Sequence, residues 1–348
     1  MRVLVLNDFL ADWTGSEVVA LEVAEHFGAT TSSFWCAEPA KSSLADWRPL
    51  AEIDLTEFDF VWAQQHAVFP LLDKLTPGSS RPAIAWASLS PYEPMDNVPP
   101  SILGAYADEV VCNSRETAEA RGADTVFANA APNPFHFERA ERSLRNVLFV
   151  SNRQPAELLE AEQLLRARGL KTRFIGKGRE CKRLEPSDLE WADCVVTIGK
   201  TVRYALASRL PVFLYDRFGG DGYLTADNYA LNEAHNFSGR PALRKLTGTE
   251  IADEIVRNHA YWTPPPQPRF GDFLDALAAR HSKRAFVRHP DLAGIAAMSS
   301  AIGGWISEAH GWKATAGDLL TANFSWATLR GFVWQKFRRS RLFRSGAQ

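Results

Sequence analysis

A chain of 348 residues, 46% apolar and 23% charged, can bury two ordinary cores, so two α/β domains are expected. A formal net charge of −2 argues against nucleic acid as a partner for the bulk of the chain. Cys36, Cys112, Cys181 and Cys194 are scattered without metal-ligand or C-x-x-C spacing. That disfavours a zinc site or disulfide framework and points to a reducing, cytoplasmic setting with no bound metal.

In chain order, Arg2-Val-Leu-Val-Leu6 reads as a buried strand, and residues 8–15 as its loop. Ser16 to Phe27 has helical periodicity, with Val19, Ala20, Val23, Ala24 and Phe27 on one face and Gly28 as the stop. Gly15, Ser16 and Glu17 therefore open a helix directly after the first strand and are candidate residues of a cleft-facing loop, with Ser16 as its N-cap the plainer reading. Residues 30–34, 60–63, 83–87 and 109–112 are further short β-like runs separated by turns and helical stretches, the pattern of a parallel sheet with helices on both faces.

The pattern then restarts. Asn146 to Val150 is a second opening strand, Pro155 to Arg168 a helix, and Lys171 to Ile175 a strand followed by Gly176 and Gly178. Next come an apolar run from Cys194 to Ile198, the turn Gly199-Lys200-Thr201 opening a helix, Pro211 as its stop, and the strand Val212 to Tyr215. The helix start after Gly199, with Thr201 as a cap and Lys200 as a local cation, reads either as a phosphate cradle or as a plain strand-to-helix turn; its placement after a buried strand favours phosphate. Gly219-Gly220-Asp221-Gly222 is expected to be a ligand loop beyond the strand end. Asp221 would accept hydrogen bonds from sugar hydroxyls and Tyr215 would serve as an aromatic platform, although a simple turn has the same composition.

Two successive α/β domains, with Thr14-Gly-Ser-Glu17, Phe58-Asp-Phe-Val-Trp-Ala-Gln-Gln-His66, Ala107-Asp-Glu-Val-Val-Cys-Asn-Ser114, Pro132-Asn-Pro-Phe135, Asn146-Val-Leu-Phe-Val-Ser-Asn-Arg153 and Tyr204-Ala-Leu-Ala-Ser-Arg-Leu-Pro-Val212 in this order, resemble the GT-B glycosyltransferases. The similarity is to their family-4-like branch in particular and extends over residues 1–235. It implies two Rossmann-like domains facing a cleft; the restart of the pattern divides them into an acceptor domain over 1–142 and a nucleotide-sugar domain over 143–268, and the helix-like patterns beyond the proline-rich run 264–268, which the similarity does not cover, make a helical extension over 269–348. It also implies transfer of a sugar from a UDP- or GDP-sugar to a hydroxyl of a cell-envelope glycan or lipid-linked acceptor. A nucleotide-sugar epimerase or a silent nucleotide-binding protein of the same architecture is the alternative. Arg153 stands where family members keep a basic residue for the donor diphosphate. Where the branch usually carries a glutamate opening the helix toward the Pro-Val strand, this chain has Tyr204, and the partner glutamate eight residues earlier is Val196.

Asp8 and His66 both follow strands on the expected cleft side and are the candidate bases if the reaction inverts configuration; a structural role for a lone strand-end histidine is the other reading. At the far end, Leu329, Phe332, Val333 and Phe337 recur at helical spacing among Arg330, Lys336, Arg338, Arg339, Arg341 and Arg344. A basic, aromatic helix over 329–344 would lie on an anionic membrane surface or dock on the protein.

Overall fold

The computed structural model describes residues 1–10, 13–96 and 98–311; the basic run 329–344 lies outside the described residues. The first sheet has seven strands. Val3–Leu6 lies at its middle, flanked on one side by Thr30–Ser32 and Asp46–Trp47 and on the other by Phe60–Gln64, Ala83–Ser88, Glu109–Cys112 and Thr125–Val126. Every pairing in it is parallel. Numbered along the chain, the spatial order is 3-2-1-4-5-6-7, the doubly wound order of a Rossmann-like domain. Parallel strands are covered by helices on both faces, and accordingly Val3–Leu6, Phe60–Gln64 and Ala83–Ser88 are buried along their whole length between two apolar clusters, with Trp62 in one and Trp86 in the other.

The second sheet has five strands, in the spatial order Lys171–Ile175, Asn146–Val150, Cys194–Thr197, Val212–Asp216 and Gly219–Tyr223. The first four are parallel in the order 2-1-3-4, another doubly wound arrangement, and the last runs antiparallel at the edge. It too is buried on both faces. The chain is therefore an α/β protein of two Rossmann-like domains. The expected ligand loop 219–222 is a correction: these glycines form the edge strand. Backbone crowding explains the composition, because a Cβ on Gly220 would come within 1.9 Å of the Leu214 carbonyl oxygen and one on Gly219 within 2.2 Å of that of Arg244.

Beyond the proline-rich crossing 264–268 the chain returns to the first domain. Ala131 and Arg269 form a parallel bridge, so the outward and return crossings run side by side. The helix Phe270–Ala279 buries Phe270, Leu274 and Leu277 against Trp62 and Phe127, and the helix Leu292–Gly311 packs along Val68–Asp73. Among the described residues no helix is long and apolar enough to cross a membrane.

The close approach at the edge strand makes a direct test. Gly220→Ala should destabilise the chain by about 2–4 kcal/mol in urea unfolding, through steric displacement of that strand.

Candidate functional site

In open parallel sheets ligands bind beyond the carboxyl ends of the strands, at the switch point where the strand order reverses. In the first domain this point lies between Val3–Leu6 and Phe60–Gln64, and in the second between Asn146–Val150 and Cys194–Thr197. The two crevices meet: Asn152, just after the second domain's first strand, donates from its side-chain amide to the Trp13 carbonyl at 3.3 Å, at the start of the first domain's first long helix.

The second domain's side of this cleft is cationic. Arg153 is exposed on a turn held by Ser151, whose hydroxyl accepts from the Arg153 and Gln154 amides at 3.1 and 3.2 Å and donates to Asp216 at 3.0 Å. Gly176 supports that turn from below, since a Cβ there would lie 1.9 Å from the Ser151 carbonyl oxygen. Arg217, at the end of Val212–Asp216, is the cation that sequence reasoning missed. Burial and then the neighbouring charge of Arg153 push its guanidinium below its ordinary value, Asp216 and Glu93 oppose the shift, and Arg240 adds to it. Like charges crowded this way are relieved by an anion. Beside them the helix Lys200–Ala207 begins after Gly199, which has φ of 67° and is itself the N-cap, so Thr201 lies in the first turn and does not cap the helix. The backbone N–H groups of Lys200 and Thr201 open this helix and have no intrahelical partner by position.

The Lys200 side chain turns the other way, away from its expected place on phosphate. It is 8% exposed, with its ammonium 2.8 Å from Glu22 of the first domain and about equally near the rings of Phe270 (5.1 Å) and Tyr204 (5.3 Å). The Tyr204 hydroxyl donates to the same Glu22 carboxylate, its ring stacks on Phe135 at 4.2 Å, and Arg183 approaches Glu22 at 4.0 Å while pairing with Glu25. Burial pushes the Glu22 carboxyl up and the Lys200 ammonium down, each toward its neutral form, while their mutual attraction opposes both shifts. This clasp joins the domains behind the cleft.

Other expected residues also have local duties. Tyr215 is fully buried, its hydroxyl donating toward Glu157 and the Leu246 carbonyl, so it is a core residue and presents no platform. Asp221 accepts from Asn232 at 2.6 Å. The first helix runs Gly15–Phe27 and its N-cap is Thr14, not Ser16; the Glu17 carboxylate accepts from the Thr14 amide and hydroxyl. Ser16 contributes its carbonyl, which accepts from Gln64 at 2.9 Å. Gly15 borders open space, with nothing within 4 Å of where a Cβ would stand.

Asp8 and His66 do come together at the first switch point. One Asp8 oxygen accepts the His66 and Ala67 amides at 2.7 and 2.8 Å; the other is buried with no hydrogen-bond partner. Burial pushes the Asp8 carboxyl up to about 8, and the nearby Asp96 carboxyl is pushed up to about 7 for the same reason. His66 is 3% exposed; burial lowers it to about 4, and its ring is engaged by the Met95 backbone and, at 3.4 Å, the Ser299 hydroxyl. An imidazole so enclosed anchors the 89–96 turn and the last helix.

No protein-family description matches the chain, and no curated protein matches its sequence. Among solved structures it is similar to the glycosyltransferase SsfS6 of Streptomyces sp. SF2575, complexed with thymidine diphosphate, at 13% identity and a TM-score of 0.42 over 80% of this chain and 99% of that one. A UDP-N-acetylglucosamine 2-epimerase aligns at 10% identity and 0.41 over 82% and 99%, and a DNA-modifying β-glucosyltransferase at 10% and 0.38 over 89% and 99%. At such scores these likenesses carry no argument about activity, and the fold assignment stands on the strand orders and registers above.

Removing Glu22 would strand a buried ammonium. Glu22→Ala should cost about 3–5 kcal/mol of stability, and Tyr204→Phe, which removes only a hydrogen bond, about 1–3 kcal/mol, both read from urea midpoints. Asp8 makes a pH prediction of definite sign. Its folded-state proton is held up to about 8 while the unfolded chain releases it in the ordinary carboxylate range, so its contribution to stability falls as pH rises toward 8. Between pH 6.5 and 8, with the His66 contribution common to both chains, the wild type should lose stability more steeply than Asp8→Asn.

Proposed function

We propose that the chain is a GT-B glycosyltransferase, of the kind related to the family-4-like branch, that moves a sugar from a UDP- or GDP-sugar to a hydroxyl of a cell-envelope glycan or lipid-linked acceptor. The observation that carries this reading is the opposition of two Rossmann-like switch points across one cleft, with Arg153 and Arg217 gathered around Asp216 on the second domain's side. The donor diphosphate lies against these guanidinium groups and the amides that open the Lys200–Ala207 helix. Charge-assisted bonds to the departing diphosphate stabilise the charge that develops as the glycosidic bond breaks, which is the main electrostatic demand of the transfer.

The acceptor approaches from the first domain, past Gly15 and Asp8. If the reaction inverts, Asp8 or His66 would have to reach the acceptor hydroxyl from a buried position, and Asp8 would first have to lose the proton that burial holds up to about 8; if it retains configuration, the departing diphosphate takes the proton. The cations of 329–344 would hold the protein to an anionic surface where a lipid-linked acceptor resides.

Titration calorimetry in EDTA with UDP, GDP and thymidine diphosphate tests the donor site. At least one should bind, and Arg153→Ala or Arg217→Ala should each weaken binding by about 1.5–3 kcal/mol. Failure of all three nucleotides to bind would defeat the reading. Product analysis separates the alternative, because an epimerase converts the nucleotide sugar with no acceptor present and a transferase requires one.

A further inference from the structure

We propose that Tyr92 is a stacking platform for a pyranose ring of the acceptor at the mouth of the cleft, a reading that rests on the glycosyl transfer proposed above. Tyr92 is 59% exposed, yet it is fixed in place. Its hydroxyl donates to Glu116 at 2.7 Å, and the guanidinium of Arg240, which reaches across from the second domain to pair with the same Glu116 at 2.5 Å, lies 4.7 Å from its ring centroid. The turn that carries the ring is stitched at several points. Buried Asp96 accepts the Leu89 and Ser90 amides, both at 2.8 Å; Ser90 accepts the Tyr92 amide at 3.1 Å; and the enclosed His66 ring holds Met95.

An apolar ring costs free energy when left in water, and ordering it costs more. Here both costs are met before any ligand arrives, which is the condition for a preorganised binding surface. Arg240 takes one face of the ring and leaves the other. A pyranose offers the matching partner: an apolar C–H face that lies flat on an aromatic ring, with hydroxyls at its rim that donate to carboxylates. Glu116 binds the ring's own hydroxyl, and Glu93 is the next residue in the chain. Position agrees as well, since the charges of Arg240 and Glu93 are both felt by Arg217, at the end of the donor-side strand. A sugar on Tyr92 is therefore next to the proposed donor diphosphate, and it is held by a ring from the first domain.

The test uses the whole chain and its Tyr92→Phe and Tyr92→Ala variants on an array of immobilised hexopyranosides and N-acetylhexosaminides with UDP, GDP and thymidine diphosphate present, alongside calorimetry with the same nucleotides. The wild type should bind at least one pyranoside. Tyr92→Phe, which keeps the ring and loses the tie to Glu116, should stay within about threefold, and Tyr92→Ala should lose roughly tenfold or more, with nucleotide affinity equal in all three. A residue that merely bridged the domains would make Phe as harmful as Ala, and that result overturns the platform. So do nucleotide binding by the wild type with no pyranoside bound, sugar binding unchanged in Tyr92→Ala, or a parallel loss of nucleotide affinity; these outcomes leave the donor site standing. Absence of both nucleotide and sugar binding brings down both readings.

Discussion

The geometry of the cleft depends on one buried carboxylate. Glu22 lies on the first domain's long helix, and the groups that answer its charge, Lys200, Tyr204 and Arg183, all belong to the second domain. A carboxylate and an ammonium taken out of water together are only weakly stabilising relative to an apolar pair, but either one alone is expensive, so the contact specifies an arrangement more than it strengthens the fold. It specifies two things at once. The Gly15–Phe27 helix begins at the cleft and reaches Glu22 two turns later, and the Lys200–Ala207 helix begins at the cleft with the residue that Glu22 binds. Joining the two helices there sets the separation of their N-terminal ends, and with it the width of the space between the switch points.

The walls of that space carry opposite charges. Arg153, Arg217 and Arg240 come from the second domain, with Asp216 among them, while Asp8, Asp96, Glu93 and Glu116 come from the first. Burial keeps Asp8 and Asp96 toward their protonated forms, so the acidic wall is less charged than its composition suggests and does not cancel the cationic one. A dianionic group is drawn to one side and neutral hydroxyl groups are accepted by the other. That division suits a reaction in which a phosphorylated donor and an uncharged acceptor must meet in a fixed order in space.

The departure at Tyr204 has a structural counterpart. The position that family-4-like members give to a glutamate is here a phenol bonded to Glu22, and Val196 lies in a fully buried strand. The carboxylate at this junction comes from the opposite domain and faces a lysine. In the proposed reading, donor contact relies on arginines and backbone amides, which recognise phosphate without selecting a particular sugar hydroxyl.

Much of the architecture was legible from local pattern. The buried strands of both sheets, the restart at Asn146, the helix stop at Gly28 and the turn at Gly199 follow from apolar runs, periodicity and the special backbone freedom of glycine, all of which act over a few residues. The places of Arg153 and Asp8 were legible for the same reason, since a polar residue just after a buried parallel strand lies beyond the carboxyl edge of its sheet. What the tertiary structure alone decided is where long side chains go. Lys200 has the composition of a phosphate ligand and is drawn inward because Glu22, 178 positions earlier, needs a partner in a dry interface. Gly219 to Gly222 look like a loop and form a strand because the backbones of Leu214 and Arg244 leave no room for a Cβ. Arg217, Arg240 and Tyr92 are ordinary in sequence and make up the proposed site only because two domains bring them to one cleft, since charge and exposure are properties of neighbours in space.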